Sequence, residues 1–125
     1  MKKIFFYLFI IIFIFLGCMK SNDILKKEIL LPIKMNNKWG YINTTGDLII
    51  EYKFEEARTF SDSPEYAAVK INGKWGYINK KGKFKIKPQF EMAWWFSDGL
   101  ASVEKNNSYI IINERGKEIA HNNLW

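Results

Sequence analysis

The sequence predicts an all-β fold: short antiparallel hairpin repeats stacked into a small curved sheet or solenoid-like domain, preceded by an N-terminal signal helix. Three observations predict it. A segment of about three dozen residues recurs along the chain, which marks a stacked repeat architecture. Within each copy, apolar residues alternate with polar ones on either side of Asn- and Gly-containing turns, the pattern of half-buried strands. Near the N-terminus, a continuous apolar run ends at Gly17-Cys18.

The first element is that run. Lys2 and Lys3 precede the unbroken stretch Ile4 to Leu16, and the small Gly17 follows it. A positive start, an apolar middle and a small residue before the cut form the three-part layout of a secretory signal. As a helix the stretch reaches only about 20 Å at roughly 1.5 Å per residue, against a hydrocarbon core of about 30 Å. This favours a cleavable leader over a retained anchor. The predicted organisation is a signal peptide over 1–17, a polar tether over 18–27, a repeat β domain over 28–119 and a C-terminal tail over 120–125. The repeat units are expected near 30–62, 66–98 and 100–119.

The formal charge of +6 falls to +4 once Lys2 and Lys3 leave with the leader. The remaining basic residues are spread through turns, with Glu51, Glu55, Glu56, Glu91 and Asp98 between them. Such interspersed charge describes a solvated surface and not a nucleic-acid track, so no nucleic-acid partner is expected. With one cysteine, Cys18, the chain forms no internal disulfide. A domain exported to an oxidising compartment must then rely on its core, and an aromatic fraction of 17% suits that need.

The repeat is plain in the residues. Asn36-Asn37-Lys38-Trp39-Gly40-Tyr41-Ile42-Asn43, with Gly46 beyond it, recurs as Asn72-Gly73-Lys74-Trp75-Gly76-Tyr77-Ile78-Asn79 with Gly82. A weaker third copy reads Asn106-Asn107-Ser108-Tyr109-Ile110-Ile111-Ile112-Asn113 with Gly116. Between them Phe54-Glu55 and Phe60-Ser61-Asp62 match Phe90-Glu91 and Phe96-Ser97-Asp98.

Each copy has the same grammar, seen most clearly in the second. Val69 and Ile71 fall on one face of a short strand. Asn72-Gly73 then signals a type I′ hairpin turn, which needs positive φ at both central residues. Trp75 and Tyr77 share one face of the next strand, and Gly76 and Ile78 share the other. Asn79 to Gly82 forms a second turn. Phe84 and Ile86 alternate with lysines, and Pro88 is expected to end that strand. Phe90 to Phe96 reads as a looser connection with the apolar spacing of one helical turn.

Two resemblances follow from these residues. Phe15-Leu16-Gly17-Cys18 resembles the lipobox of bacterial lipoproteins. That resemblance implies cleavage before Cys18, acyl chains on it, and residence in the cell envelope at a periplasmic or cell-surface membrane face. The repeats resemble the WG repeat family over roughly Leu30 to Gly116. Trp39-Gly40-Tyr41 and Trp75-Gly76-Tyr77 carry the signature, and Gly46 and Gly82 match its following turn. Tyr109 and Gly116 hold the corresponding places in an atypical terminal unit. The resemblance implies a β-rich interaction module.

Candidate sites weigh differently. Trp39 and Trp75 read as core, with the next glycine admitting a close neighbour. Trp94-Trp95 stand where the first unit has Arg58-Thr59, so two readings stand level: a surface aromatic for stacking on a sugar or anchoring a partner, or a loop aromatic folded onto the repeat interface. At most one of the two enters the core if the segment is extended. His121 is the only histidine, which gives no metal set. Glu55-Glu56 read as solvation, and no nucleophile–base pair or phosphate loop is present, so neither catalytic residues nor cofactors are expected. The expected function is an exported, lipid-anchored binding module without catalysis, meeting a membrane through its anchor and a protein or cell-wall glycan through its surface. A structural spacer lipoprotein is the alternative, and a small cell-envelope hydrolase comes third.

Overall fold

The computed structural model describes residues 27–121; the leader expected over 1–17, Cys18 and residues 122–125 lie outside them. Eleven strands are described there: β1 (Leu31–Met35), β2 (Lys38–Ile42), β3 (Leu48–Phe54), β4 (Glu56–Ala57), β5 (Ala67–Ile71), β6 (Lys74–Ile78), β7 (Phe84–Phe90), β8 (Met92–Ala93), β9 (Leu100–Lys105), β10 (Ser108–Asn113) and β11 (Glu118–His121). Among the described residues there is no helix. The strands form three separate antiparallel sheets, ordered β1-β2-β3, β4-β5-β6-β7 and β8-β9-β10-β11, none closed into a barrel.

Local chemistry sets both turns of every unit. The first hairpins carry left-handed pairs, Asn36-Asn37, Asn72-Gly73 and Asn106-Asn107, with φ between 47° and 78°. This is the backbone a two-residue type I′ loop requires. The second turns are organised by the asparagine that closes the signature. Asn79 Oδ1 accepts from the amides of Lys81 and Lys83, each at 3.0 Å, and Asn113 Oδ1 does the same for Arg115 and Lys117. Asn43 repeats the arrangement with Thr45 and Asp47. Side chain-to-backbone bonds of this kind stand in for a missing ladder rung.

The Trp-Gly pair has a definite geometric cause. Trp75 faces Phe90 and Tyr77 faces Ile86, so two residues of β6 span four of β7. The surplus is a bulge around Lys87-Pro88-Gln89 that leans against Gly76, where a Cβ would stand 2.7 Å from both Ile86 O and Pro88 N. The first sheet repeats this, with Trp39 opposite Phe54 and Tyr41 opposite Ile50. Pro88 therefore does not end its strand: β7 continues to Phe90. The bulge carries the imide nitrogen out of the ladder, which is where a strand tolerates proline.

The connection from Phe90 to Phe96 also differs from the helical turn expected of it. Met92 and Ala93 pair with Glu104 and Val103 of the next unit, extended by Glu91 N to Glu104 O and Trp94 N to Ser102 O. Glu56 and Ala57 pair likewise with Lys70 and Val69. The open edge of the following hairpin offers backbone partners that one isolated helical turn lacks, and edge pairing wins. Each unit thus lends its last residues as a strand to the sheet after it.

Two apolar interfaces join the three sheets. In the first, Tyr41, Ile50 and Phe54 meet Ala67, Val69 and Ile78. In the second, Trp75, Tyr77, Ile86 and Phe90 meet Ala101, Val103, Ile110 and Ile112. One face of each hairpin packs backward and the other forward, as period-two alternation requires. Ile50 lies 3.2 Å from where a Cβ on Gly82 would stand, and Ile86 lies 3.1 Å from the same point on Gly116. The turn glycine of each following unit is thus a seat for the isoleucine before it.

The two central tyrosines lock these interfaces. Tyr41 Oη donates to Arg58 O at 2.7 Å and Tyr77 Oη to Trp94 O at 2.6 Å. Burial pushes both hydroxyls well above the ordinary tyrosine value of about 10. An acid whose pKa rises on folding holds its proton longer in the native state. This contribution to stability is whole below pH about 10 and declines as pH climbs beyond it. Melting temperature is expected to fall above pH 10, and the combined Tyr41→Phe and Tyr77→Phe variant to show a shallower alkaline fall. Equal falls in both proteins would contradict this origin.

Candidate binding surface

The Phe-Ser-Asp segments build the most distinctive surface feature. Phe60 and Phe96 are held edge-on by the tyrosines, at 5.1 Å from Tyr41 and 4.8 Å from Tyr77 between ring centroids. This fixes the residues that follow them. Asp98 and Gly99 adopt φ of 49° and 78°, and Ser97 and Leu100 exchange both backbone bonds across that turn. Gly99 N donates to Ser63 O at 3.3 Å, tying the two segments together. Between them lies a cleft of about 400 Å³ lined by Ser61, Asp62 and Ser63 on one side and Trp95, Ser97 and Asp98 on the other.

The adjacent tryptophans separate. Trp95 is 60% exposed at the cleft. Trp94 is half-buried and tilts against Tyr109, with centroids 5.9 Å apart. The aligned pair explains this. Arg58 stacks on the Trp75 ring at 4.9 Å and donates through Nε to Ala93 O at 2.9 Å. One position therefore covers the aromatic of the next unit, as arginine on tryptophan in one case and tryptophan on tyrosine in the other. The role of Arg58 escaped the sequence reading. Its signal was the paired change of Arg58/Trp75 to Trp94/Tyr109 between units.

The other predicted residues distribute as follows. Trp75 and Tyr77 are fully buried with Gly76 between them, and Tyr41 and Gly40 are buried beside a half-buried Trp39. Tyr109 stands 51% exposed on the outer side of the last sheet. Gly46, Gly82 and Gly116 all hold positive φ in second turns. Cys18 lies outside the described residues. Glu55 is more than a solvated charge: both carboxylate oxygens accept from Gly73 N at 3.2 Å, bracing the hairpin turn of the following unit. Its counterpart Glu91 reaches Lys74 at 3.2 Å, and its carboxyl is held below the usual range by backbone amides and that lysine.

Around the cleft, Asp62 pairs with Lys27, which lowers its carboxyl pKa. Ser61 Oγ is engaged with Pro64 O and Tyr66 O, so it shapes the loop and offers no free donor. Asp98 and Ser97 remain beside the indole. His121 pairs with Glu118 at 2.8 Å on the last strand. Among the described residues no group of three or more His, Cys, Asp or Glu side chains is arranged to hold a metal ion.

Stacked antiparallel hairpin units with interfaces repeated in register define a short β repeat array. The WG containing repeat matches residues 39–75 and again 75–109, and the chain belongs to that family. No curated protein and no solved structure matched the chain.

Proposed function

We propose that this chain is an exported, lipid-anchored interaction module that acts without catalysis, holding an envelope component at the Trp95 cleft. The observation that carries this reading is the indole of Trp95, the most exposed of the large hydrophobic side chains among the described residues, beside fixed polar groups. Exposed aromatics rimmed by polar atoms are common contact anchors, and an indole face with serine and aspartate beside it offers a sugar ring both an apolar stacking surface and hydroxyl partners. Membership in the WG family supports a repeat-built interaction module. The leader and Cys18 support export and membrane attachment, since each buried methylene of an acyl chain contributes about 0.8 kcal/mol. A stiff spacer is the second reading, favoured by the apolar interfaces and shared strands that join the units.

Two linked measurements test the proposal. In a bacterial host, labelled palmitate is expected in the wild type and absent from Cys18→Ala. The immobilised full chain is expected to retain cell-wall glycan, and Trp95→Ala to retain about tenfold less with a stability change within about 0.5 kcal/mol. Retention that survives Trp95→Ala would remove the cleft from the account. Retention of nothing by the wild type would leave the spacer.

A further inference from the structure

The two ends of the array present complementary halves of the interface that joins its units. We propose that copies of this chain associate head to tail, the last sheet of one against the first sheet of the next.

Each internal junction has a receiving face and a donating face. In the second sheet the receiving face is Ala67, Val69 and Ile78, and in the third it is Ala101, Val103 and Ile112, all at most 3% exposed. The register identifies their counterparts. Leu31 faces Ile42 and Ile33 faces Gly40, as Ala67 faces Ile78 and Val69 faces Gly76. The first sheet therefore keeps apolar residues at every one of these positions. Yet Leu31 is 47% exposed, its neighbour Met35 52%, and Ile33 and Ile42 are only half-buried. The glycine seats agree. Gly82 and Gly116 each take an isoleucine from the preceding sheet, whereas Gly46 has nothing within 4 Å among the described residues.

At the other end the third sheet repeats the donating face. Tyr109 stands where Trp75 does and Ile111 where Tyr77 does, and Ile111 faces Ala120 as Tyr77 faces Ile86. Trp94 widens this surface by packing on Tyr109. A second copy is the fitting occupant because the receiving half retains, in register, the residue classes that close both internal junctions. A face that pairs with a different face leaves one of each free at the ends of every complex, so the assembly grows by addition until its rotation closes a ring. Ala120 supplies no isoleucine for the empty seat at Gly46, which makes the contact weaker than an internal junction.

The test uses the full chain in mild detergent, followed by analytical ultracentrifugation. Wild-type mass is expected to rise with concentration. Leu31→Glu combined with Met35→Glu blocks the receiving face, and Tyr109→Glu combined with Ile111→Lys blocks the donating face. Each variant alone is expected to stay monomeric, while an equimolar mixture forms one-to-one dimers. Ala120→Ile is expected to lower the concentration for association at least tenfold. A monomeric wild type at every concentration would overturn the proposal. So would variants that associate as well alone as the wild type does, since that marks contact through the leader or between like faces. If a charged variant fails to fold, Ala120→Ile decides alone, and unchanged association rejects the model of assembly.

Discussion

Trp75→Ala is expected to lower unfolding free energy by about 3–5 kcal/mol, the usual cost of emptying a large aromatic site in a core. Trp75 is 2% exposed and lies in the second interface with Phe90 and Ile110 around it. The Arg58 guanidinium packed on its ring would lose its partner as well, leaving a cation over an empty site. Small domains have about 5–15 kcal/mol in total, so the loss should bring the transition close to ambient conditions. Urea unfolding read by far-ultraviolet circular dichroism checks this, with the midpoint falling and the slope unchanged. Trp39→Ala is the control, since the same motif position is only half-buried there. Equal losses at the two positions would show that the interface, as drawn, does not set the energetics.

Gly76→Ala is expected to be the next most damaging change, for the addition of a single methyl group. The added carbon would meet Ile86 O and Pro88 N at 2.7 Å and Lys87 C at 3.0 Å, all of them backbone. A flexible side chain can turn aside, but the β7 bulge cannot without losing its register. Overpacking of this kind typically costs about 1–3 kcal/mol. Gly73→Ala separates steric from conformational effects, because Gly73 has φ of 78° and nothing within 4 Å among the described residues. Its cost should be about 1 kcal/mol, from the left-handed backbone alone. Amide exchange at Tyr77 and Ile86 should accelerate in Gly76→Ala and stay near wild type in Gly73→Ala. The reverse ranking would refute the bulge as the reason for the Trp-Gly pair.

Much of this architecture was legible in the residues because its causes are local. Asn72-Gly73 specifies its turn through backbone preference, and Trp75 and Tyr77 declare a shared face through alternation. The recurrence of both in register declares the stack. The bulge at Pro88 was hidden because proline alone signals an interruption, and only the partner strand shows that an interrupted ladder can resume. The strand at Met92-Ala93 was hidden for a similar reason. Two residues have too little pattern of their own, and their conformation is imposed by the free edge of β9. At the cleft, sequence alignment singled out Trp94 and Trp95 together but could not divide them. The division depends on Tyr109, which draws Trp94 inward and leaves Trp95 at the surface.

The lending of β4 and β8 to the sheets that follow them means that the written repeat and the folding repeat are out of phase. A chain cut between two motifs would strip one sheet of its outermost strand while leaving a loose end on its neighbour. The links are therefore hooked through one another and not merely set side by side. Tension applied along the array would load backbone hydrogen bonds in addition to greasy contacts.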